Sequence, residues 1–228
     1  CWAMRTRPGP SGCPAAWYSK HWLLKIMSMG VDYGPGGAPT QRLILASGSP
    51  QRWELLGRID SSFHVAVPDS DEGSISTPGD LVDTARGKML AVRAEEPQAL
   101  IVAADTGVFL GGRHLGKPSG PEEARKYLRA LSGRWHSVFT GLCVSLPGCV
   151  REELVETGVR FRSLSEEELD WYIAGEYVLD KAGAYAVQGR AAVFVERIEG
   201  EYTNVVGLPM ATLYGLLQEL GWGPGQYG

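Results

Sequence analysis

LILASGSPQRWELL, running from Leu43 to Leu56, joins two local patterns. Its first four residues, Leu43-Ile44-Leu45-Ala46, are wholly apolar and of a length that suits a buried strand. Ser47-Gly48-Ser49 then turns the chain. Pro50 suits the first position of a helix, where its missing N–H would be unpaired anyway, and Ser49 becomes the expected N-cap. The short helix after it is expected to turn Trp53, Leu55 and Leu56 inward. A strand that feeds a helix through a small polar turn aims unpaired amides and the helix dipole at one spot, which makes an anion site. Arg52, in the first turn, adds a fixed positive charge with the fork geometry that phosphate favours. Such corners are common, so this one is weak evidence on its own. Neither the P-loop pattern nor G-x-G-x-x-G is present in it.

The chain has 228 residues, enough for one large domain or two small lobes with an ample core. Charged residues make up 21% and hydrophobic residues 44%, ordinary proportions for a soluble globular protein. A net charge of -4 lacks the basic footprint of a nucleic-acid binder, so no nucleic-acid partner is expected. No apolar run approaches the roughly 18 residues of a membrane span, so no membrane partner is expected either. Cys1, Cys13, Cys143 and Cys149 show no C-x-x-C spacing, which argues against zinc. So few cysteines in a chain of this length read as reduced and intracellular, and a cytoplasmic location is expected. His21, His64, His114 and His136 are scattered and read as surface or satisfied structural residues.

Upstream of the opening corner, residues 1–40 differ in character from the rest of the chain. They are rich in Pro and Gly, with one short apolar patch from Trp22 to Met27 that Lys25 interrupts, a poor signal-peptide core. The Arg-containing, acid-poor start allows a transit peptide, but the segment reads rather as an upstream extension or translated leader, disordered or loosely helical, with Met27 and Met29 as candidate starts. One domain is expected over residues 41–221, followed by a loose tail at 222–228. Phe63 to Val67 alternates as a strand does and runs into the acidic turn Asp69-Ser70-Asp71-Glu72, a solvated loop or a source of oxygen ligands for Mg2+. Leu81, Val82, Ala85, Met89, Leu90 and Val92 repeat at helical spacing to about Ala94. Arg86 and Lys88 are placed off most of that apolar face, as solvent-facing charges or as a cationic wall over a cleft.

Leu100 to Ala104 is a second apolar strand, and it ends in Asp105-Thr106. A carboxylate at the carboxyl end of a buried strand is where ligands bind in open α/β sheets; a plain turn residue is the alternative. Gly111-Gly112 is a hairpin signal that returns the chain through Gly116-Lys117-Pro118, with Lys117 reaching back toward Asp105. A helix from Pro121 comes next, then a hairpin formed by strands Trp135–Leu146 and Leu154–Arg162. A further helix is opened by the capping box Ser165 to Glu168 and capped by Gly175. Asp180 to Gly189 reads as a binding loop. A strand over Ala192–Ile198 and a last helix over Met210–Leu220 complete the pattern.

Taken in order, these motifs resemble the Maf family, also described as septum-formation inhibitors and nucleoside triphosphate pyrophosphatases. The resemblance rests on Ala46-Ser47-Gly48-Ser49-Pro50 with Arg52 and Glu54-Leu55-Leu56, on Ala104-Asp105-Thr106, and on Gly116-Lys117-Pro118. It continues through Leu131-Ser132-Gly133, Thr140-Gly141, Asp180 to Tyr185, Gln188-Gly189 and Asn204 to Pro209. It implies an α/β fold, a mixed twisted sheet with flanking helices and two lobes around a central cleft, similar to the inosine triphosphate pyrophosphatase fold. It implies a metal-dependent nucleoside triphosphate pyrophosphatase that hydrolyses dTTP and UTP, or modified pyrimidine nucleotides, in a housecleaning role, with Mg2+ or Mn2+ as cofactor. By position it implies Asp105 as proton acceptor, Ser47, Arg52, Lys88 and Lys117 as phosphate contacts, and Glu72, with Asp105, as metal ligands. Gln51, Thr106 and Gln188 fall at substrate-discriminating positions, and a homodimer is implied.

The physics of the residues agrees with those roles. Phosphoanhydride cleavage is mainly positioning and charge stabilisation, which Arg52, Lys88, Lys117 and a helix N-terminus supply. Gln188 offers a donor and an acceptor to a base edge. Two departures stand out. Gln51 occupies a position where the dTTP/UTP group usually carries Arg, and Gly87 replaces a helix-favouring residue, which costs about 1 kcal/mol relative to Ala. The alternatives are a 7-methyl-GTP or other modified-nucleotide pyrophosphatase, and a cell-division regulator that acts by binding.

Overall fold

A computed structural model of the chain describes residues 42–68 and 73–223. In chain order these residues form β1 (Leu43–Ala46), α1 (Pro50–Gly57), β2 (His64–Ala66), α2 (Gly79–Glu95), β3 (Leu100–Leu110) and β4 (Arg113–Leu115). Next come α3 (Pro121–Leu131), β5 (Trp135–Leu146), β6 (Cys149–Phe161) and α4 (Glu166–Gly175), then short 3-10 turns at Ala182–Ala184 and Arg190–Phe194. The chain finishes with β7 (Val195–Glu199), α5 (Tyr202–Val206) and α6 (Met210–Glu219). The 7-stranded sheet runs β2-β1-β3-β5-β6-β7, with β4 paired to β3. It is mixed: β1 is parallel to β2 and β3, and β3, β5, β6 and β7 pair antiparallel in succession.

Side chains on a strand alternate between faces, and this alternation sorts the core. Leu43 and Leu45 of β1, with Leu100, Val102 and Ala104 of β3, face α1 and α6. Ile44 and Ala46, with Ile101 and Ala103, face the Ala85, Met89 and Val92 side of α2. The far ends of β3, β5 and β6 leave this three-layer lobe and pack on α3, α4 and the two 3-10 turns around Tyr172, Phe161 and Phe194. The mixed sheet, flanking helices and two packed groups agree with the architecture expected from the sequence. Among the described residues no helix is long and apolar enough to cross a membrane.

Several boundaries differ from expectation for local reasons. The turn at Pro147-Gly148 is tight enough to set Leu146 opposite Cys149, so β6 begins five residues before Leu154. Residues 190–194 wind as a 3-10 turn, so β7 starts at Val195. Gly175 is the last helical residue of α4, and the extended Glu176 is the cap. At the other end of that helix the Ser165–Glu168 capping box forms in both directions. Trp222, read from the sequence as tail, is buried with Tyr214 edge-on to its ring.

Candidate active site

The period-2 alternation of β3 gives Asp105 and Thr106 to opposite faces of the sheet, and each meets a cation there. On the α2 face, Lys88 is almost fully buried and its Nζ donates to Asp105 Oδ1 at 2.7 Å. A buried ammonium is retained only with a partner charge, which is why Lys88 breaks the apolar stripe of α2. The placement off that stripe is corrected: Lys88 follows Leu81 by two turns and Ala85 by one on the buried side, while Leu90 is exposed.

α2 reaches this position because of Gly141. Gly141 is paired with Asp105 across β3 and β5. A Cβ there would overlap the carbonyl group of Leu81 and the backbone nitrogen of Val82. The first turn of α2 therefore rests directly on the backbone of β5.

On the other face, Arg52 is 8% exposed and, among the described residues, donates to acceptors from three separate segments. Its Nε donates to the Gly207 carbonyl at 2.8 Å, Nη1 to Ser47 Oγ at 3.1 Å and Nη2 to Thr106 Oγ1 at 3.0 Å. Gly207 sits at φ 129°, a conformation that favours glycine, and this turns its carbonyl toward the guanidinium. These bonds rotate α1 so that Arg52 points in with Leu55 and Leu56. Trp53, expected inside, is half-exposed at 37%, and its Nε1 donates to the Ser47 carbonyl at 2.7 Å.

Ser49 has the extended conformation of an N-cap, but its side chain caps no amide; its Oγ donates to Gln51 Oε1 at 3.0 Å. The α1 N-terminus faces the same cleft as Ser47 and Arg52.

That cleft has a volume of about 570 Å³ and lies between the two packed groups. Eight of the nine site residues inferred from the sequence line it: Ser47, Gln51 and Arg52 at the α1 end, Lys88, Asp105 and Thr106 on the floor, and Lys117 and Gln188 further along. Glu72 lies outside the described residues. The binding loop is tied to the β4 return by a bond from the Gly183 amide to the Gly116 carbonyl, 3.1 Å, and its Asp180, Tyr185 and Gln188 line the same cleft as Lys117. The Lys181 Nζ is drawn back to Asp180 Oδ1 at 2.7 Å and the Tyr177 carbonyl at 2.8 Å.

Two histidines separate here. His136 is a buried structural residue, bonded through Nε2 to the Tyr185 hydroxyl at 2.9 Å. His114, read from the sequence as surface or satisfied structure, lines the cleft. Its ring packs at a tilt against Phe109, with centroids 5.0 Å apart. Burial lowers its pKa, against the opposing pull of the Ile75 backbone and the Asp105 carboxylate. Sequence reading also missed the Gly207 carbonyl, because a backbone acceptor leaves no signature in side-chain identity.

The chain is 48% identical over 186 residues to the dTTP/UTP pyrophosphatase of Pyrococcus horikoshii, covering 80% of this chain and 98% of that one. It is 43% identical over 182 residues to the protein of the same name from Deinococcus radiodurans, with 79% and 93% covered. The corresponding Thermotoga maritima protein is 40% identical over 184 residues, with 79% and 90% covered. Among solved structures, the Staphylococcus aureus Ham1 protein superposes with a TM-score of 0.45 at 19% identity, over 77% of this chain and 100% of that one. The Maf family signature, described as Maf-like protein, matches residues 42–220. Since that match runs from the residue before β1 to the end of α6 and takes in every wall of the cleft, the chain belongs to the Maf family.

Proposed function

We propose that this protein is a nucleoside triphosphate pyrophosphatase that hydrolyses dTTP and UTP to the monophosphate and pyrophosphate. The relatives carrying that name support the substrate class. The observation that carries the reading is the Lys88–Asp105 pair, at 2.7 Å, on the floor of a cleft whose α1 end holds Arg52 and a helix N-terminus. Cleaving the α–β phosphoanhydride requires cations on the phosphate chain and a base for the attacking water. Arg52, Lys117 and the α1 amides neutralise the triphosphate. Lys88 holds Asp105 in place, and Asp105 orients the water and takes its proton. Gln188, also lining the cleft, reads the edge of the base, and Gln51, at the α1 N-terminus, adds amide polarity in place of charge.

A hard divalent cation fits this donor set. Magnesium is usually held by one or two carboxylates together with substrate phosphates. Asp105, with Glu72 as the second carboxylate inferred from the sequence, would hold Mg2+ or Mn2+ jointly with the triphosphate. Bound there, the cation supplies charge neutralisation of the phosphate oxygens.

The test is pyrophosphate release from dTTP, UTP, CTP, 5-methyl-UTP, GTP and 7-methyl-GTP with Mg2+, Mn2+ or EDTA. The expected result is release from dTTP and UTP that EDTA abolishes. Preference for 7-methyl-GTP would overturn the substrate assignment, and no turnover of any nucleotide would overturn the enzymatic reading.

A further inference from the structure

Two motifs singled out in the sequence contain residues that do not reach the cleft. Thr140, Asn204 and Thr157 are fully buried, yet all three are polar. Burying such groups is costly unless each is hydrogen-bonded. Here they stack into a column. The two protons of Asn204 Nδ2 are shared among Thr157 Oγ1 at 3.0 Å and the carbonyls of Val138 and Val155 at 3.1 and 3.2 Å. This pins α5 to β5 and β6. The Asn204 carbonyl lies 3.5 Å from Thr140 Oγ1, which in turn lies 2.9 Å from Thr106 Oγ1, its register partner across β3 and β5.

The column ends at Arg52. Thr106 Oγ1 accepts from Arg52 Nη2 and is 3.3 Å from the Gly207 carbonyl, which also accepts from Arg52 Nε. A hydroxyl has one proton to give. With the Thr106 proton on Gly207, Thr140 donates to Thr106; with it on Thr140, Thr140 passes its own proton to Asn204. In both arrangements the Thr106 oxygen keeps a lone pair for Arg52, and Thr140 is the side chain that fixes its orientation.

We propose that Thr140 is a positioning residue. Its hydroxyl holds Thr106, and through Thr106 it aims the Arg52 guanidinium, so the grip on the triphosphate depends on a side chain that never touches substrate. This rests on the assignment of Arg52 as a phosphate ligand.

The experiment compares wild type with Thr140→Val, Thr140→Ser and Thr157→Val in the full chain. Binding of inorganic triphosphate is measured by calorimetry, with KM and kcat for dTTP and melting curves alongside. Thr140→Val should weaken triphosphate binding and raise KM about fivefold, the size of one lost buried hydrogen bond, with kcat within about twofold. Thr140→Ser, which keeps the hydroxyl, should restore both. Thr157→Val makes the same chemical change at the far end of the column, so it should lower stability and leave triphosphate affinity unchanged. If Thr140→Val fails to fold, Thr140→Cys keeps the shape, weakens the bond and should give an intermediate loss. Wild-type affinity in Thr140→Val, or equal weakening by Thr157→Val, would overturn this inference alone. A wild type that binds no triphosphate would overturn it together with the phosphate assignment of Arg52.

Discussion

Replacing Gly141 with alanine adds one methyl group, and the structure fixes where it goes. The new Cβ would overlap the Leu81 carbonyl group and the Val82 nitrogen. These are backbone atoms in the first turn of α2, so no rotamer change can relieve the overlap. Restoring ordinary carbon contacts of ~3.5 Å requires the helix to retreat by about 1 Å. Overpacking of a well-packed core costs about 1–3 kcal/mol, and rigid backbone on one side puts this case at about 3 kcal/mol. For a domain of this size that is a fall of about 10 °C in Tm. The same retreat carries Lys88, two turns along on the buried face, away from Asp105. Misplacement of about 1 Å at a catalytic group costs about 100-fold in rate, so kcat for pyrophosphate release should fall by that order. Melting curves and steady-state kinetics on wild type and Gly141→Ala test both numbers. A variant that melts within a degree or two of wild type and turns over at its rate would refute the claim that α2 is seated on the β5 backbone.

Gly87 is the natural contrast, because a Cβ there meets nothing within 4 Å. Gly87→Ala should stabilise the protein by about 1 kcal/mol through helix propensity alone, with unchanged kinetics; a loss of stability in urea unfolding would contradict the packing described for α2. Asp105→Asn should lower turnover about 1,000-fold, as loss of a general base does. Nucleotide affinity by calorimetry should hold, since Arg52, Lys88 and Lys117 keep their charges; wild-type turnover would remove Asp105 from the mechanism. His136 supplies a pH dependence. Burial, the larger effect, lowers its pKa from 6.5 to about 4, against a weaker upward pull from the Arg134 backbone. A lowered folded pKa gives stability that is present above 6.5 and lost as pH falls toward 4, because the unfolded chain takes up the proton first. Up to about 3 kcal/mol should disappear across that window. Urea titrations at pH 7.5 and 4.5 should show the difference shrinking by that amount in His136→Gln; an undiminished difference would place the dependence elsewhere.

The elements legible in the sequence were those with strong local signals. β1 was marked by four consecutive apolar residues, α1 by Pro50, the β3–β4 turn by Gly111-Gly112, and α4 by its capping box. The candidate site residues come from motifs that keep their order along the chain, and eight of the nine line one cleft. Orientation was less legible. Trp53 and Arg52 exchanged places, and Lys88 went inward, because in each case a polar partner distant in sequence outweighs the local hydrophobic pattern. Gly207 is 155 residues from Arg52, and Asp105 is 17 from Lys88.

The sequence by itself determined the kind of chain this is. Alternation and helical spacing set the order of strands and helices, and an ordered series of motifs set the family, because both are properties of neighbours along the chain. Only the tertiary structure decided what those residues face. The register of β3 against β5 sets Asp105 opposite Gly141 and Thr106 opposite Thr140. Strand alternation then sends the first pair to α2 and Lys88, and the second to Arg52 and the buried polar column. Register is a relation between segments tens of residues apart, set by the packing of both faces at once, and no local stretch of sequence contains it.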